Sequence, residues 1–419
     1  MHLPEPVDLD SVLACCANRG IDLSLDRMRS ALAAGGHPER EFPAVQVAGT
    51  NGKGSIATFL HAILQAAGLR AGIYRSPHLQ SWCERIQLGP HWVDGPTLCA
   101  DLDRWLPLGE QHSLTMFELF TAAAMDRFAR ADLDLVVLEV GLGGRLDATT
   151  AHPDRRVVGF GPIGMDHREF LGDTLEAIAT EKAGVMAHGQ VAISGPQSPP
   201  VREVLEHHAR LRGCELRWVQ PLPKEEEGGL ALGCAGNFQR SNAAVAQGMA
   251  RSLIQQGWPI SEGAIAQGLR QARWPGRLER RTFEGREVLL DGAHNPPGAA
   301  ALRQELDRLD ATTEAADTAK GRRWLLAIQR SKEAPALLDA LLGPLDQAAI
   351  VALPDLPCWS VGALLEARPT LQGRLVAMEN PLEGLRWLKP AGPLPCVAGS
   401  LHLLGEIWPL LDLPLHPLA

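Results

Sequence analysis

Apolar residues arrive along this chain in short runs separated by amphipathic stretches. Phe42 to Gly49 (FPAVQVAG) is a run of strand length, and residues 55–68 (SIATFLHAILQAAG) space their apolar side chains at helical intervals. Leu133 to Val140 (LDLVVLEV) is continuously apolar, as expected of a strand covered on both faces. Val157 to Ile163 reads as a weaker strand, and Thr174 to Ala187 as a helix following the turn Leu171-Gly172-Asp173. A second series begins at EVLLDGA (287–293) and continues through WLLAIQR (324–330), AAIVALP (348–354) and LPCVAGS (394–400). Strands alternating with helices predict an α/β fold with mostly parallel sheets. The charged, Pro- and Gly-containing stretch 273–287 (RWPGRLERRTFEGRE) places a boundary between domains at 1–280 and 281–419. The segments 221–229 (PLPKEEEGG) and 310–323 (DATTEAADTAKGRR) read as surface loops.

Length agrees with two domains, because 419 residues exceed what one hydrophobic core usually supports. With 45% hydrophobic and 21% charged residues the chain is of ordinary globular composition. The net charge is −9 and no Lys/Arg-rich block is present, which argues against nucleic acid as a partner. The eight cysteines (Cys15, Cys16, Cys83, Cys99, Cys214, Cys234, Cys358, Cys396) are scattered without a C-x-x-C pair, so buried free thiols are expected rather than zinc or disulfides. The acidic, proline-containing start MHLPEPVDLDS lacks a secretion signal, and no apolar stretch reaches the roughly 18 residues of a membrane span. A cytoplasmic chain with no membrane partner is the expectation.

The chemistry concentrates first in Gly49-Thr50-Asn51-Gly52-Lys53-Gly54-Ser55, between a predicted strand and helix. Backbone N–H groups and the helix N-terminus attract phosphate there, glycines let the chain approach it, and Lys53 adds a point charge. Gly54 stands between lysine and serine, so this is not the strict G-x-x-x-x-G-K-[ST] pattern. Magnesium accompanies ATP and takes hard oxygen ligands, for which Glu139, ending an apolar strand before Gly141-Leu142-Gly143-Gly144, is the evident carboxylate. Buried unpaired it would cost several kcal/mol, so a partner is required.

The strings VAGTNGKGS, SPHL, ERI, LTMFE, EVGLGGRLDAT, IGMDH, LGDT, EKAG, PGRLE, DGAHNP and GSLHLLGE run in order from Val47 to Glu406. In this the chain resembles the dihydrofolate synthase/folylpolyglutamate synthase family of the Mur-ligase-like superfamily. The resemblance implies a P-loop NTPase-like domain holding ATP and magnesium, and a smaller Rossmann-like α/β C-terminal domain closing over it. It implies ATP-dependent ligation of L-glutamate to dihydropteroate and to tetrahydrofolate polyglutamates through an acyl phosphate, by a monomer working on small molecules alone.

By the same resemblance, Thr50, Asn51, Gly52, Lys53, Gly54, Ser55, Asn242, Arg277 and Asp291 contact ATP. Ser76, Glu139 and His167 hold magnesium, and Lys182, as a carbamate, assists a second ion; forming it requires the neutral amine. Each has an ordinary alternative: Ser76 before Pro77 could shape a turn, Glu139 could hydrogen-bond a helix N-terminus or loop, His167 could be a hydrogen-bonded core histidine, and Lys182 on a predicted helix could be a solvated surface lysine. Lys53, Lys182 and His294 are the implied catalytic groups, although a cap on its loop is an equal reading of His294. Thr115, Met116, Phe117, Glu118, Leu146, Asp147 and Ala148 match positions on the pterin side, where core packing explains Phe117 equally well. Departures from the family pattern are Phe238 in place of a histidine before Gln239, Ser331-Lys332-Glu333 in place of DKD, His402 in place of a tyrosine, and Thr150 in place of an asparagine.

Three rival readings remain. One is folylpolyglutamate synthase activity alone. A cell-wall Mur ligase would need a UDP-sugar domain before the loop, where only 48 residues precede Gly49. A P-loop regulatory switch would carry an N-K-x-D motif, and none is present. Replacing Glu139 is expected to abolish turnover and spare the fold.

Overall fold

The computed structural model describes residues 3–13, 16, 19–311, 321–354, 356–388 and 392–412. Cys15 and residues 312–320 of the expected loop lie outside the described residues. The chain folds into two compact units. The first comprises Met1–Gly164, Arg168–Gly233 and Gln239–Arg273, and the second Met165–His167, Cys234–Phe238 and Trp274–Ala419.

In the first unit eight strands form one sheet: β1 (Ala44–Ala48), β2 (Ala71–Tyr74), β3 (Ile86–Leu88), β4 (His91–Trp92), β5 (Leu135–Glu139), β6 (Arg155–Phe160), β7 (Val191–Ser194) and β8 (Glu215–Trp218). Their order is β4-β3-β2-β5-β1-β6-β7-β8. Six strands run parallel, and β3 and β4 extend the sheet antiparallel at one edge. β1 and β5 are buried along their whole length, which is why their sequences are unbroken apolar runs apart from Gln46 and Glu139. The helix after β1 spans Lys53–Ala66. The expected helix 174–187 is shorter, Leu175–Ala183: the Thr174 hydroxyl accepts from Ala177 N–H at 3.1 Å to start it, and Gly184 ends it. Beside the sheet packs a core that includes Met28, Trp105, Phe120 and Phe128.

The second unit has six strands: β9 (Glu279–Phe283), β10 (Arg286–Leu290), β11 (Arg323–Leu326), β12 (Gln347–Val351), β13 (Leu375–Met378) and β14 (Cys396–Ala398), ordered β13-β12-β11-β14-β10-β9. All neighbours are parallel except β9, which pairs antiparallel with β10. Here the charged stretch read as an interdomain connection is an edge hairpin turning at Glu284 and Gly285, both at positive φ. Charge did not exclude a strand because cationic side chains lie along apolar surface: Arg281 is buried with its guanidinium 4.4 Å from the Trp408 ring. Trp324, Leu302 and Leu338 belong to this unit's own core.

Among the described cysteines no disulfide forms; Cys16, Cys83, Cys214, Cys234 and Cys396 are buried, Cys99 and Cys358 half-buried. Among the described residues no helix is long and apolar enough to cross a membrane.

Candidate functional site

The glycine-rich segment lies at the carboxyl end of β1, where open α/β sheets present their ligand sites. It is pinned from behind: Thr50 and Asn51 N–H both donate to Pro162 carbonyl at 2.9 and 3.1 Å, and Thr50 Oγ1 is 3.0 Å from the Gly164 carbonyl and 3.1 Å from its N–H. Gly49 adopts φ 145° against Gly161, an approach only glycines permit. Lys53 Nζ folds back over the loop and donates to the Thr50 carbonyl at 3.2 Å. Lys182 is buried rather than solvated, and its Nζ donates to the Gly49 carbonyl at 2.9 Å. Asn242 sits on the helix Phe238–Gln255, with Oδ1 in the space a Gly52 side chain would fill. Residues 50–55, Lys182 and Asn242 are thus brought together within one unit.

Glu139 ends β5, next to β2, and is 3% exposed. One partner for it is the backbone of Ser76, whose N–H donates to Glu139 Oε2 at 3.3 Å; the Ser76–Pro77 bond that follows is cis. The preceding Arg75 is also buried, held by Thr58 Oγ1 at 3.2 Å and Gln87 Oε1 at 2.6 Å. Burial pushes its guanidinium down to about 10, while the Glu139 and Glu84 charges oppose that shift. A serine hydroxyl and a carboxylate at adjoining strand ends are hard oxygen donors of the kind magnesium takes alongside several waters. Among the described residues no group of three or more His, Cys, Asp or Glu side chains is placed to hold a metal ion.

Of the seven residues on the expected pterin side, three have structural duties. Thr115 caps the helix Met116–Ala129 in a box with Glu118, whose carboxylate also takes Arg27 Nε at 2.8 Å. Asp147 is buried and accepts the N–H groups of Gly141 (2.9 Å), Leu142 (3.0 Å) and Thr149 (3.0 Å), shaping the glycine loop after β5. Burial raises its carboxyl above the ordinary value, against these hydrogen bonds. Phe117 packs over Gly141, its ring centroid 6.1 Å from that of Tyr74, Met116 is exposed, and Ala148 is buried. Leu146 lines a hollow of about 910 Å³ with Leu23, Leu25, Arg29, Arg155 and Arg212. That volume suits a small ligand; sequence reasoning passed over residues 23–29, which carry no chemical signature.

In the second unit Asp291 follows β10 and accepts Leu278 N–H at 3.0 Å and Ala293 N–H at 2.9 Å. Burial raises its carboxyl, and the Arg277 charge opposes that. His294 Nδ1 meets the Gly292 carbonyl at 2.8 Å; burial first, then the Lys332 charge, push its imidazole down to about 4, so it is neutral at pH 7. The cap next to it is Asn295, whose Oδ1 accepts Gly298 N–H at 2.9 Å to open the helix Pro296–Asp310. Asn295 Nδ2 also donates to Asp166 Oδ2 at 2.8 Å, and Lys332 Nζ to Asp166 Oδ1 at 2.6 Å. Burial would raise the Asp166 carboxyl, but Lys332 and His167 outweigh it and hold the group well below the usual carboxylate range. His167 has φ 50°, sparsely populated for a non-glycine residue, and Lys332 Nζ lies 3.3 Å from its Nε2.

The sequence assigns no role to Asp166, Asn295 or Gln239 and shows Lys332 only as a departure from a motif. Asn-Pro-Pro ahead of an apolar-periodic stretch was a readable cap signal; a long-range Lys–Asp pair has none.

Two family models match, the Mur ligase middle domain over residues 47–203 and the dihydrofolate synthetase C-terminal domain over residues 277–355. The chain is 33% identical over 314 residues to the dihydrofolate synthase/folylpolyglutamate synthase of Bacillus subtilis, covering 68% of this chain and 73% of that one. Its fold is similar to that of E. coli FolC in complex with DHPP and ADP, with TM-score 0.83, 28% identity and 97% and 99% of the two chains covered. The Yersinia pestis bifunctional folylpolyglutamate synthase/dihydrofolate synthase complexed with AMPPNP and Mn ion gives TM-score 0.83 at 27% identity, again over 97% and 99%. On this extent of likeness in sequence and fold, the chain belongs to the dihydrofolate synthase/folylpolyglutamate synthase family.

Proposed function

We propose that this chain is an ATP-dependent ligase that joins L-glutamate through its amino group to dihydropteroate, forming dihydrofolate, and to the γ-carboxylate of folates already carrying glutamate. The observation that carries this reading is the loop Gly49–Ser55, with open backbone geometry at a helix N-terminus and two lysines, Lys53 and Lys182, on its carbonyls. A carboxylate and an amine do not condense at neutral pH. The carboxylate oxygen attacks the γ-phosphorus of ATP, the bond to ADP breaks, and an acyl phosphate forms. The glutamate amine then adds to the acyl carbon; the oxyanion collapses, phosphate leaves with the C–O bond electrons, and nitrogen loses its proton.

Charge in the first step spreads over the transferred phosphoryl oxygens, so stabilisation comes from donors already in place. Lys53 and the first N–H groups of the helix Lys53–Ala66 supply them. Magnesium, held by Ser76 and Glu139, would neutralise phosphate charge. His167 is a further ligand in this reading, with Lys332 beside it. Carbamylation of Lys182 leaves one N–H on its nitrogen, so the bond to the Gly49 carbonyl is compatible with the modified and unmodified forms. His294 stays neutral at pH 7, and an imidazole held at about 4 is too weak a base to take the amine proton efficiently, so its part in this reading is to hydrogen-bond rather than to deprotonate. Arg277 and Asp291 are the nucleotide contacts of the second unit, and the Gly141–Ala148 segment with Phe117 is the pterin side.

The test is phosphate release by purified protein given ATP, L-glutamate and either dihydropteroate or tetrahydrofolate. Release with both acids, dependent on all three reactants, is expected. Silence with dihydropteroate alone removes the first activity, and silence with both removes the ligase reading.

A further inference from the structure

Behind the nucleotide loop lies a polar relay that the ligase chemistry above does not use. Gln239 opens the helix Phe238–Gln255 one turn before Asn242, so the two side chains share a face. Its side chain is wholly buried, at 0% exposure, on a helix whose next buried residues include Ala243, Ala244, Val245 and Ala246. Burying an amide is favourable only if its hydrogen bonds are made. They are: Gln239 Oε1 accepts from Asn242 Nδ2 at 2.8 Å, and Gln239 Nε2 donates to Ser55 Oγ at 3.1 Å.

This order of donors has two consequences. Ser55 Oγ receives its hydrogen bond from behind, so the serine's own proton and its remaining lone pair are left for a partner on the loop side. Asn242 gives its N–H to Gln239, which turns Oδ1 to the loop. There that oxygen is buried with no hydrogen-bond partner among the described residues, against Gly52 at φ 76°. One amide therefore orients two groups that flank the phosphate-binding turn.

We propose that Gln239 is a positioning residue for nucleotide binding, acting through Ser55 and Asn242 without touching the nucleotide. This rests on the loop being the ATP site. The experiment uses the full chain with a non-hydrolysable ATP analogue and Mg²⁺ in calorimetry, together with steady-state kinetics. Gln239→Met removes both bonds at similar volume. Gln239→Glu keeps an acceptor for Asn242 but puts a buried carboxyl where the donor to Ser55 was, so it adds a charge as well as removing that bond.

Both variants are expected to weaken analogue binding by about tenfold, the equivalent of one hydrogen bond. KM for ATP should rise, with KM for the folate acid unchanged. In a cycle with Ser55→Ala, Gln239→Met should cost less than it does alone, because one of its two partners is already gone. Should Gln239→Met fail to fold, Gln239→Ala, which also removes both bonds, takes its place. Wild-type protein that does not bind the analogue overturns the site reading and this inference together. Wild-type binding with unchanged affinity in Gln239→Met, or its full loss persisting on the Ser55→Ala background, overturns the inference alone.

Discussion

A methyl group on Gly52 would have to occupy space held by Asn242 Oδ1, in a residue whose φ of 76° already disfavours any side chain. Gly52→Ala should therefore push Asn242 away or distort the turn, and nucleotide affinity should fall at least about tenfold, given roughly 1–2 kcal/mol for the left-handed conformation alone. Calorimetry with the ATP analogue reads it, and wild-type affinity would show that the turn tolerates a side chain. Glu139 is a less clean position than its sequence suggested. Its charge, with that of Glu84, supports the buried Arg75 guanidinium. Glu139→Gln should then lower stability as well as turnover, by about 1–3 kcal/mol, since a buried cation loses compensation. Glu139→Asp keeps the charge one methylene short of its reach, so stability should recover while turnover stays low. Urea midpoints alongside rates separate the two; a Gln variant as stable as wild type would remove Glu139 from the support of Arg75.

At the scale of elements, the helix Met116–Ala129 depends on the Thr115–Glu118 box, with Thr115 N–H and Oγ1 each 2.8 Å from Glu118 Oε2. Thr115→Ala should cost about 1 kcal/mol as a lost cap, and Thr115→Ser should restore it. If serine restores stability but not dihydropteroate affinity, the threonine methyl contacts the ligand; if alanine leaves the melting temperature unmoved, the box is idle. Elements of this kind were legible where one physical signal dominated. β1 and β5 announced themselves as apolar runs, and the loop between β1 and its helix by its glycines. β9 was not legible, because its arginines mask a strand whose stability comes from pairing with β10 and from the Trp408 face. β3 and β4 are too short to show a period. In the site, motif resemblance picked out Lys182 on a helix where an exposed lysine is ordinary; only tertiary packing brings it to Gly49. Asp166 with Lys332, and Gln239 with Ser55, are separated by 166 and 184 residues, distances across which a sequence carries no local signal.

Across the whole molecule, three histidines, the buried His61 and His152 and the half-buried His294, are held in the neutral form, and together they set how the fold meets acid. His61 and His152 are pushed down to about 3, by burial first and then by Arg75 and Arg155 respectively, and His294 to about 4. Each spends one ring nitrogen on a backbone carbonyl: Ala71 at 3.2 Å, Phe42 at 3.0 Å and Gly292 at 2.8 Å. In the unfolded chain all three titrate near 6.5. Below that pH the unfolded state binds protons that the folded state refuses, so stability falls as pH falls, by up to about 1.4 kcal/mol per histidine per pH unit. Asp147 and Asp291, raised by burial, act in the opposite sense, but only in the range where carboxylates take up protons. They cannot offset a loss that begins above pH 6. Ligand-free protein should therefore show a urea midpoint that drops steeply between pH 6.5 and 5, well before general carboxylate titration. His61→Gln should flatten part of that slope, because an amide can hold the Ala71 carbonyl without titrating. A midpoint constant from pH 7 to 5 would mean that these imidazoles accept protons in the folded chain, and that solvent reaches sites which the packing of β1, β2 and β10 closes off.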